Sequence, residues 1–293
     1  MTVYDCTMFL NENDLFEIRL NQHWDFVDKF IVIESAETHT GLRKPLQFDQ
    51  KRFEKYASKI VYVTFDNFDD AMAENPQLLD LVALRDRGPH HATKDWTRDR
   101  FQFNYMVKVL TELGAQDEDI VYFSCLDEIL KKEAFEFCLP AFQDKTAHYH
   151  SGLRPIFFFR MNLYGYKFNL LHKPWQEHVS SAITQFQSFK KVLPATIREH
   201  GVSTHPVVSN AGWHFTFLDK SDGDMVLEKQ RSWAHSRDIH PGAKTKFDNT
   251  TKEEAVAKFF ADYKPTLVEI TRETHPPYIV DNLDKFQNFI YKA

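Results

Sequence analysis

The sequence predicts an α/β fold, with a mostly parallel central sheet flanked by helices and antiparallel strands added to it. Three short apolar runs carry the prediction: FIVI at Phe30 to Ile33, IVYV at Ile60 to Val63 and IVYF at Ile120 to Phe123. Each is continuously hydrophobic rather than alternating, as a strand covered by helices on both faces requires. Helical stripes lie between and beside these runs, so the order is β-α-β, repeated, which is the pattern of an open parallel sheet.

The elements follow in order. Phe16, Leu20, Trp24 and Val27, spaced four, four and three apart, make one face of a helix before the first run. The segment ESAETHTGLRKPLQF, Glu34 to Phe48, leaves the end of that run as a loop. Phe103, Met106, Val107, Leu110 and Leu113 form a second helical stripe, which Gly114 closes as a C-terminal cap. The third run passes directly into Cys125, Asp127 and Glu128, where turn residues such as Gly, Asn or Pro are the norm. The second half differs: AHYHSGLRPIFFFRMNLYGYKF alternates and turns like antiparallel strands, and SFKKVLPATIREHG reads as a helix.

Composition sets the bounds. With 293 residues, 43% hydrophobic and including 27 Phe and 11 Tyr, the chain can bury a large aromatic core. No Gly/Ser-rich, Pro-rich or single-charge run serves as a linker, so one domain over 1–293 is expected. The net charge of -6, with both signs interspersed, argues against nucleic acid or an anionic membrane as partner. Cys6, Cys125 and Cys138 are odd in number and lack CxxC spacing, against a disulfide framework or a structural zinc. No signal peptide and no run of eighteen apolar residues is visible, so a soluble cytoplasmic protein is expected.

Neither GxGxxG nor GxxxxGK[ST] occurs, so backbone amides of a glycine loop are not there to cradle phosphates. A bound nucleotide would need a metal and side chains instead. Ligands of open α/β sheets bind outside the carboxyl ends of the strands, where Asp127 and Glu128 stand, and hard divalent ions take oxygen ligands. The alternative is that these acids form a solvated turn or an N-cap for KKEAFEFCL. Arg98 and Arg100, in DWTRDRFQFNYM, fall at a helix start, where positive charge opposes the macrodipole and suits an anion. Salt bridges to Asp95 and Asp99 are the alternative. Glu34 and Ser35 begin a loop whose polar groups suit a ribose or base. His148 and His150 share a strand face, as a metal pair or as ordinary polar positions. Trp213 and His214 in AGWHFTFL, and His235 in KQRSWAH, join a sugar-stacking ring to a phosphate or metal ligand, or else belong to the core.

In order from about Tyr4 to His235, NENDLFEIRLNQHWDFVDKFIVIES, THTGLRKPLQF, WTRDRFQ, DIVYFSCLDEI, AGWHFTFL and KQRSWAH together resemble glycosyltransferase family 17. That is the family of the β-1,4-mannosyl-glycoprotein N-acetylglucosaminyltransferase. The resemblance implies a GT-A-like nucleotide-sugar fold and inverting transfer from UDP-N-acetylglucosamine to a glycan, with Mn²⁺ or Mg²⁺ at an Asp-x-Asp motif. It also implies a nucleotide-binding half over about 1–140 and an acceptor-side half over about 141–293. By position Asp127 is the second acid of the motif, Glu128 the acid after it, and Arg98 and Arg100 the basic pair before the helix. Cys125 stands where the first acid is expected, and Leu130 where proline is expected. The metal set is then Asp127, Glu128 and His235, and the donor contacts are Glu34, Ser35, Arg98, Arg100, Cys125, Trp213 and His214. Glu228 and Asp238 are the candidate bases. A binding protein that kept the fold without the chemistry, and a metal-dependent nucleotidyltransferase, are the competing classes.

Overall fold

The computed structural model describes residues 1–79, 94–144, 146–147, 152–172, 178–200, 204–234 and 250–292. The first half runs β1 (Val3–Phe9), α1 (Asn13–His23), β2 (Lys29–Ser35), β3 (Ile60–Phe65), α2 (Phe68–Glu74), α3 (Lys94–Glu112), β4 (Ile120–Cys125), β5 (Glu128–Leu130) and α4 (Lys132–Gln143). The second continues with β6 (Ile156–Gly165), β7 (Leu170–Leu171), β8 (His178–Gln185), α5 (Phe186–Val192), α6 (Pro194–His200), β9 (Val207–Val208) and β10 (Gly212–Thr216). It closes with α7 (Asp224–Ser232), α8 (Lys252–Tyr263), β11 (Thr266–Leu267) and α9 (Pro277–Asp281).

The sheet order is β11-β7-β6-β8-β4-β1-β2-β3. β3, β2, β1 and β4 are mutually parallel. β8 pairs antiparallel with both β4 and β6, so one sheet runs across the position near residue 140. β10 lies parallel to β6 and antiparallel to β5. The α/β class stands as predicted, with the three apolar runs as β2, β3 and β4.

Their continuous hydrophobicity has the expected cause. Along β2, Phe30 and Val32 face one core with Phe16 and Ile18 of α1, while Ile31 and Ile33 face the other with Phe101 and Met106 of α3. β1, the strand between β4 and β2, is not marked by an apolar run, because Asp5 and Thr7 interrupt it. The segment read as one helix over SFKKVLPATIREHG is two, α5 and α6, broken where Leu193 takes a φ of 72° ahead of Pro194. α1 stops at His23, so Trp24 and Val27 pack from the turn that follows. Gly114, at a φ of 76°, follows α3 as the left-handed cap the sequence suggests.

The end of the described chain returns to its beginning. Glu17 of α1 accepts hydrogen bonds from Tyr278 Oη at 2.6 Å and from Lys285. Ile279, Phe286 and Phe289 share the core of Leu15 and Phe16.

Candidate active site

The acids after β4 are neither solvated nor a cap. Asp127 and Glu128 are 2% and 1% exposed, and the N-cap of α4 is Lys131. Glu128 instead opens β5 and pairs across to His214 of β10. The turn is held from beneath by Arg19, which is fully buried. Arg19 Nη1 donates to the carbonyls of Cys125 at 2.8 Å, Leu126 at 3.2 Å and Glu128 at 3.0 Å, and Nη2 donates to Ser124 Oγ at 2.8 Å. Its Nε and Nη2 grip Asp5, and His23 Nδ1 lies 2.7 Å from the same carboxylate. Burial alone would raise the Asp5 pKa; Arg19 and then His23 overcome it and hold the group down at about 2.

Above the turn lies a cavity of about 660 Å³ at the carboxyl ends of β1, β2 and β4. That is where ligands of open α/β sheets bind. Met8, Ser35 and Cys125 line it from the sheet, Trp96 and Asp99 from α3, Arg198 from α6, His214 from β10 and Lys229 from α7.

Cations of the chain itself meet the acids there. Lys229 Nζ lies 2.6 Å from Asp127 Oδ2, and His214 Nε2 lies 3.5 Å from Oδ1. Arg198 Nη1 lies 3.3 Å from Glu128 Oε2, and Nη2 lies 3.5 Å from Cys125 Sγ. Its guanidinium sits over the Phe103 ring, 4.2 Å from the centroid. Burial opposes ionisation of Asp127, but Lys229 and then His214 hold its carboxyl well below the usual range. Burial pushes the Cys125 thiol far above its ordinary value; Arg198 offsets part of this, and Glu128 and Asp127 add to it.

The sequence pattern of glycosyltransferase family 17 matches residues 1–256. The chain belongs to glycosyltransferase family 17. No curated protein sequence matches it. Among solved structures it is similar to one described as the crystal structure of 4-diphosphocytidyl-2C-methyl-D-erythritol synthase, at 11% identity and a TM-score of 0.40. That match covers 72% of this chain and 89% of the other.

In this family 17 glycosyltransferase, Ser35, Cys125, Asp127, Glu128 and His214 line the cavity together. Other expected site residues stand behind its wall. Glu34 is fully buried, and its carboxylate accepts from Lys44 Nζ, from Tyr62 Oη at 2.7 Å and from the amides of Gln47 at 2.7 Å and Phe48 at 3.1 Å, fastening the loop to the sheet. Arg98 and Arg100 lie beyond the first turn of α3. Arg98 donates to His39 O at 3.1 Å and Glu37 Oε1 at 3.2 Å, while Arg100 donates to Glu199 Oε1 at 2.6 Å. Their partners line the cavity; these arginines do not. Trp213 is buried and donates Nε1–H to Thr274 O at 2.7 Å. Glu228 is exposed and accepts from Asn11 Nδ2 at 2.7 Å. His148, His150, His235 and Asp238 lie outside the described residues.

Arg198 and Lys229 were not expected at the site, nor were Trp96, Trp233 and Tyr263 in its wall. The available signal was Lys229 and Trp233 standing close together inside the matching KQRSWAH segment, Lys229 in the last turn of α7 and Trp233 just past its end.

A divalent ion such as Mn²⁺ or Mg²⁺ needs several oxygen ligands. Here Lys229 already binds Asp127 Oδ2, Glu128 is engaged by Arg198 and the Cys125 amide, and Cys125 offers sulfur rather than oxygen. Among the described residues no three His, Cys, Asp or Glu side chains are grouped to hold a metal ion. The donors described around this turn, two carboxylates already paired with Lys229 and Arg198, do not by themselves fit one; His235, the third expected ligand, lies outside the described residues.

Proposed function

We propose that this glycosyltransferase moves a sugar, N-acetylglucosamine, from a UDP-sugar to a glycan hydroxyl with inversion. The observation that carries the reading is the family-matched turn from Ser124 to Glu128 opening onto a cavity of about 660 Å³. Ligand sites of this kind run from about 300 to 1,000 Å³. The strand ends and α3, within about 1–140, take the nucleotide. Trp233 and Tyr263, within about 141–293, give aromatic surface for the acceptor sugar. The whole acts as one unit of a GT-A-like fold. Three unpaired thiols suit a reducing, cytoplasmic setting.

The step is a single displacement. The acceptor oxygen bonds to the anomeric carbon as the bond to UDP oxygen breaks, UDP leaves with the electron pair, and a carboxylate takes the acceptor proton. Glu37, Glu199, Asp127 and Glu128 of the cavity wall are each ion-paired to Arg98, Arg100, Lys229 and Arg198, and Asp99 lies 3.6 Å from His39 Nδ1. Glu12 lines the same cavity with no ion pair among the described residues, its Oε2 accepting from the amides of Leu10 and Asn11. We take it as the base. Glu228 and Asp238 are the other acids put forward, and Glu12→Gln, Glu228→Gln and Asp238→Asn are compared side by side.

The test is a panel of nucleotide sugars, assayed for sugar transfer and nucleoside diphosphate release with a glycan mixture. UDP-N-acetylglucosamine should release UDP. Pyrophosphate release from a nucleoside triphosphate and a sugar phosphate would point to a nucleotidyltransferase, and tight binding without turnover to a binding protein.

A further inference from the structure

We propose that Lys229 takes the place of a divalent ion at this site, so that Lys229 and Arg198 bind the diphosphate of the donor and transfer needs no metal. The inference rests on the nucleotide-sugar reading and deepens it. An ion on Asp127 Oδ2 would sit about 2.0 to 2.2 Å from that oxygen. The Lys229 ammonium already lies 2.6 Å from it, and two cations do not share the place.

Lys229 is held there by the fold. Its helix, α7, is fastened at the N-terminus by the fully buried Asp219, whose carboxylate accepts from the amides of Ser221 at 2.5 Å, Gly223 at 3.1 Å and Val226 at 2.9 Å. The ammonium also lies over the Phe217 ring, 5.5 Å from its centroid. Among the described residues Asp127 accepts one of its three donors, which leaves the others for phosphate oxygens.

The charge count agrees. An acid at position 125 would put three carboxylates in this turn and leave negative charge for an ion to balance. Cys125 reduces them to two, Asp127 and Glu128, which pair with Lys229 and Arg198. The Cys125 sulfur and the guanidinium 3.5 Å from it stand where the first acid of a metal-binding motif would be. Sulfur is a soft ligand, poorly matched to a hard ion.

Two measurements on the full chain test this. Mn²⁺ alone is titrated and followed by electron paramagnetic resonance, and UDP is titrated calorimetrically in EDTA, in Mn²⁺ and in Mg²⁺. The parent should leave Mn²⁺ in the free hexaaquo form and should bind UDP in EDTA within about three-fold of its affinity with metal. Lys229→Met should lose roughly ten-fold or more in EDTA, the loss of one charge-assisted contact. A parent that binds one Mn²⁺, with that site lost in Asp127→Asn, would overturn the proposal. So would UDP binding that disappears in EDTA and returns with either ion. Should UDP bind under no condition, the nucleotide-sugar reading falls, while the Mn²⁺ spectrum of the parent still decides between lysine and ion at Asp127.

Discussion

Arg19→Lys tests whether the acid turn depends on a guanidinium in the layer beneath it. Arg19 is fully buried and spreads its donors over Asp5, Ser124 Oγ and the carbonyls of Cys125, Leu126 and Glu128. Lysine keeps the charge beside Asp5 but has three donors on one atom and cannot span both sides. Two or three buried acceptors are then left without partners, at about 1 to 3 kcal/mol each, so a loss of at least about 2 kcal/mol is expected. Arg19→Met also strips Asp5 of its counter-charge, at about 3 to 5 kcal/mol, against a total stability of about 5 to 15 kcal/mol for ordinary proteins. Urea unfolding reads the first effect as a lower midpoint at unchanged slope. UDP calorimetry well below that midpoint reads the second, because carbonyls no longer held let Asp127 drift from Lys229. A lysine variant with the parent midpoint would refute the clamp. One with a lowered midpoint and the parent UDP affinity would confine Arg19 to stability.

Three further outcomes follow from the same contacts. Arg98→Ala and Arg100→Ala should each weaken UDP binding by less than ten-fold while lowering the melting temperature, since they act through Glu37, His39 and Glu199; calorimetry paired with thermal unfolding separates this from direct phosphate contact, which would cost ten-fold or more. Gly212→Ala should destabilise by about 3 kcal/mol, because its Cβ would lie 2.1 Å from Ile129 O in the β5–β10 pair; a parent-like melting temperature would contradict the pairing. Burial lowers the pKa of His172 and His275 to about 4. The unfolded chain therefore binds protons that the folded chain refuses, and stability should fall between about pH 6.5 and pH 4, by roughly 3 kcal/mol per histidine. Below that, protonation of Asp5, held at about 2, continues the loss; a urea midpoint flat from pH 6.5 to 4.5 would refute the burial of both rings.

The sequence showed clearly what depends on local apolar content. β2 and β4 announce themselves because both faces are buried, which leaves no place for alternation, while β3, at the sheet edge, is half-buried and packs its side chains against both cores. β1 does not, since Asp5 is tolerable in a buried strand only beside Arg19, fourteen residues on, and His23. The strand-end acids were legible as a candidate site, because acids do not ordinarily follow a buried strand unless something meets them. What meets them was not legible. Arg198 and Lys229 lie 70 and 102 positions from their carboxylates, on helices whose charges read as surface until the chain is folded. Arg98 and Arg100 were visible as a basic pair, yet their anions are Glu37 and Glu199 rather than the neighbouring Asp95 and Asp99. In each case position along the chain identified the charge and tertiary structure chose its partner.

The meeting of α1 with residues 277–291 has a consequence for how the molecule is made. Synthesis proceeds from the amino end, so α1 leaves the ribosome long before Tyr278, Ile279, Lys285, Phe286 and Phe289 exist to cover it. Until then Glu17 lacks two of its donors, and part of the apolar face around Leu15 and Phe16 stays open to other chains. Completion of this core therefore waits until residues 277–291 have been made. In that interval the uncovered apolar face is open to aggregation.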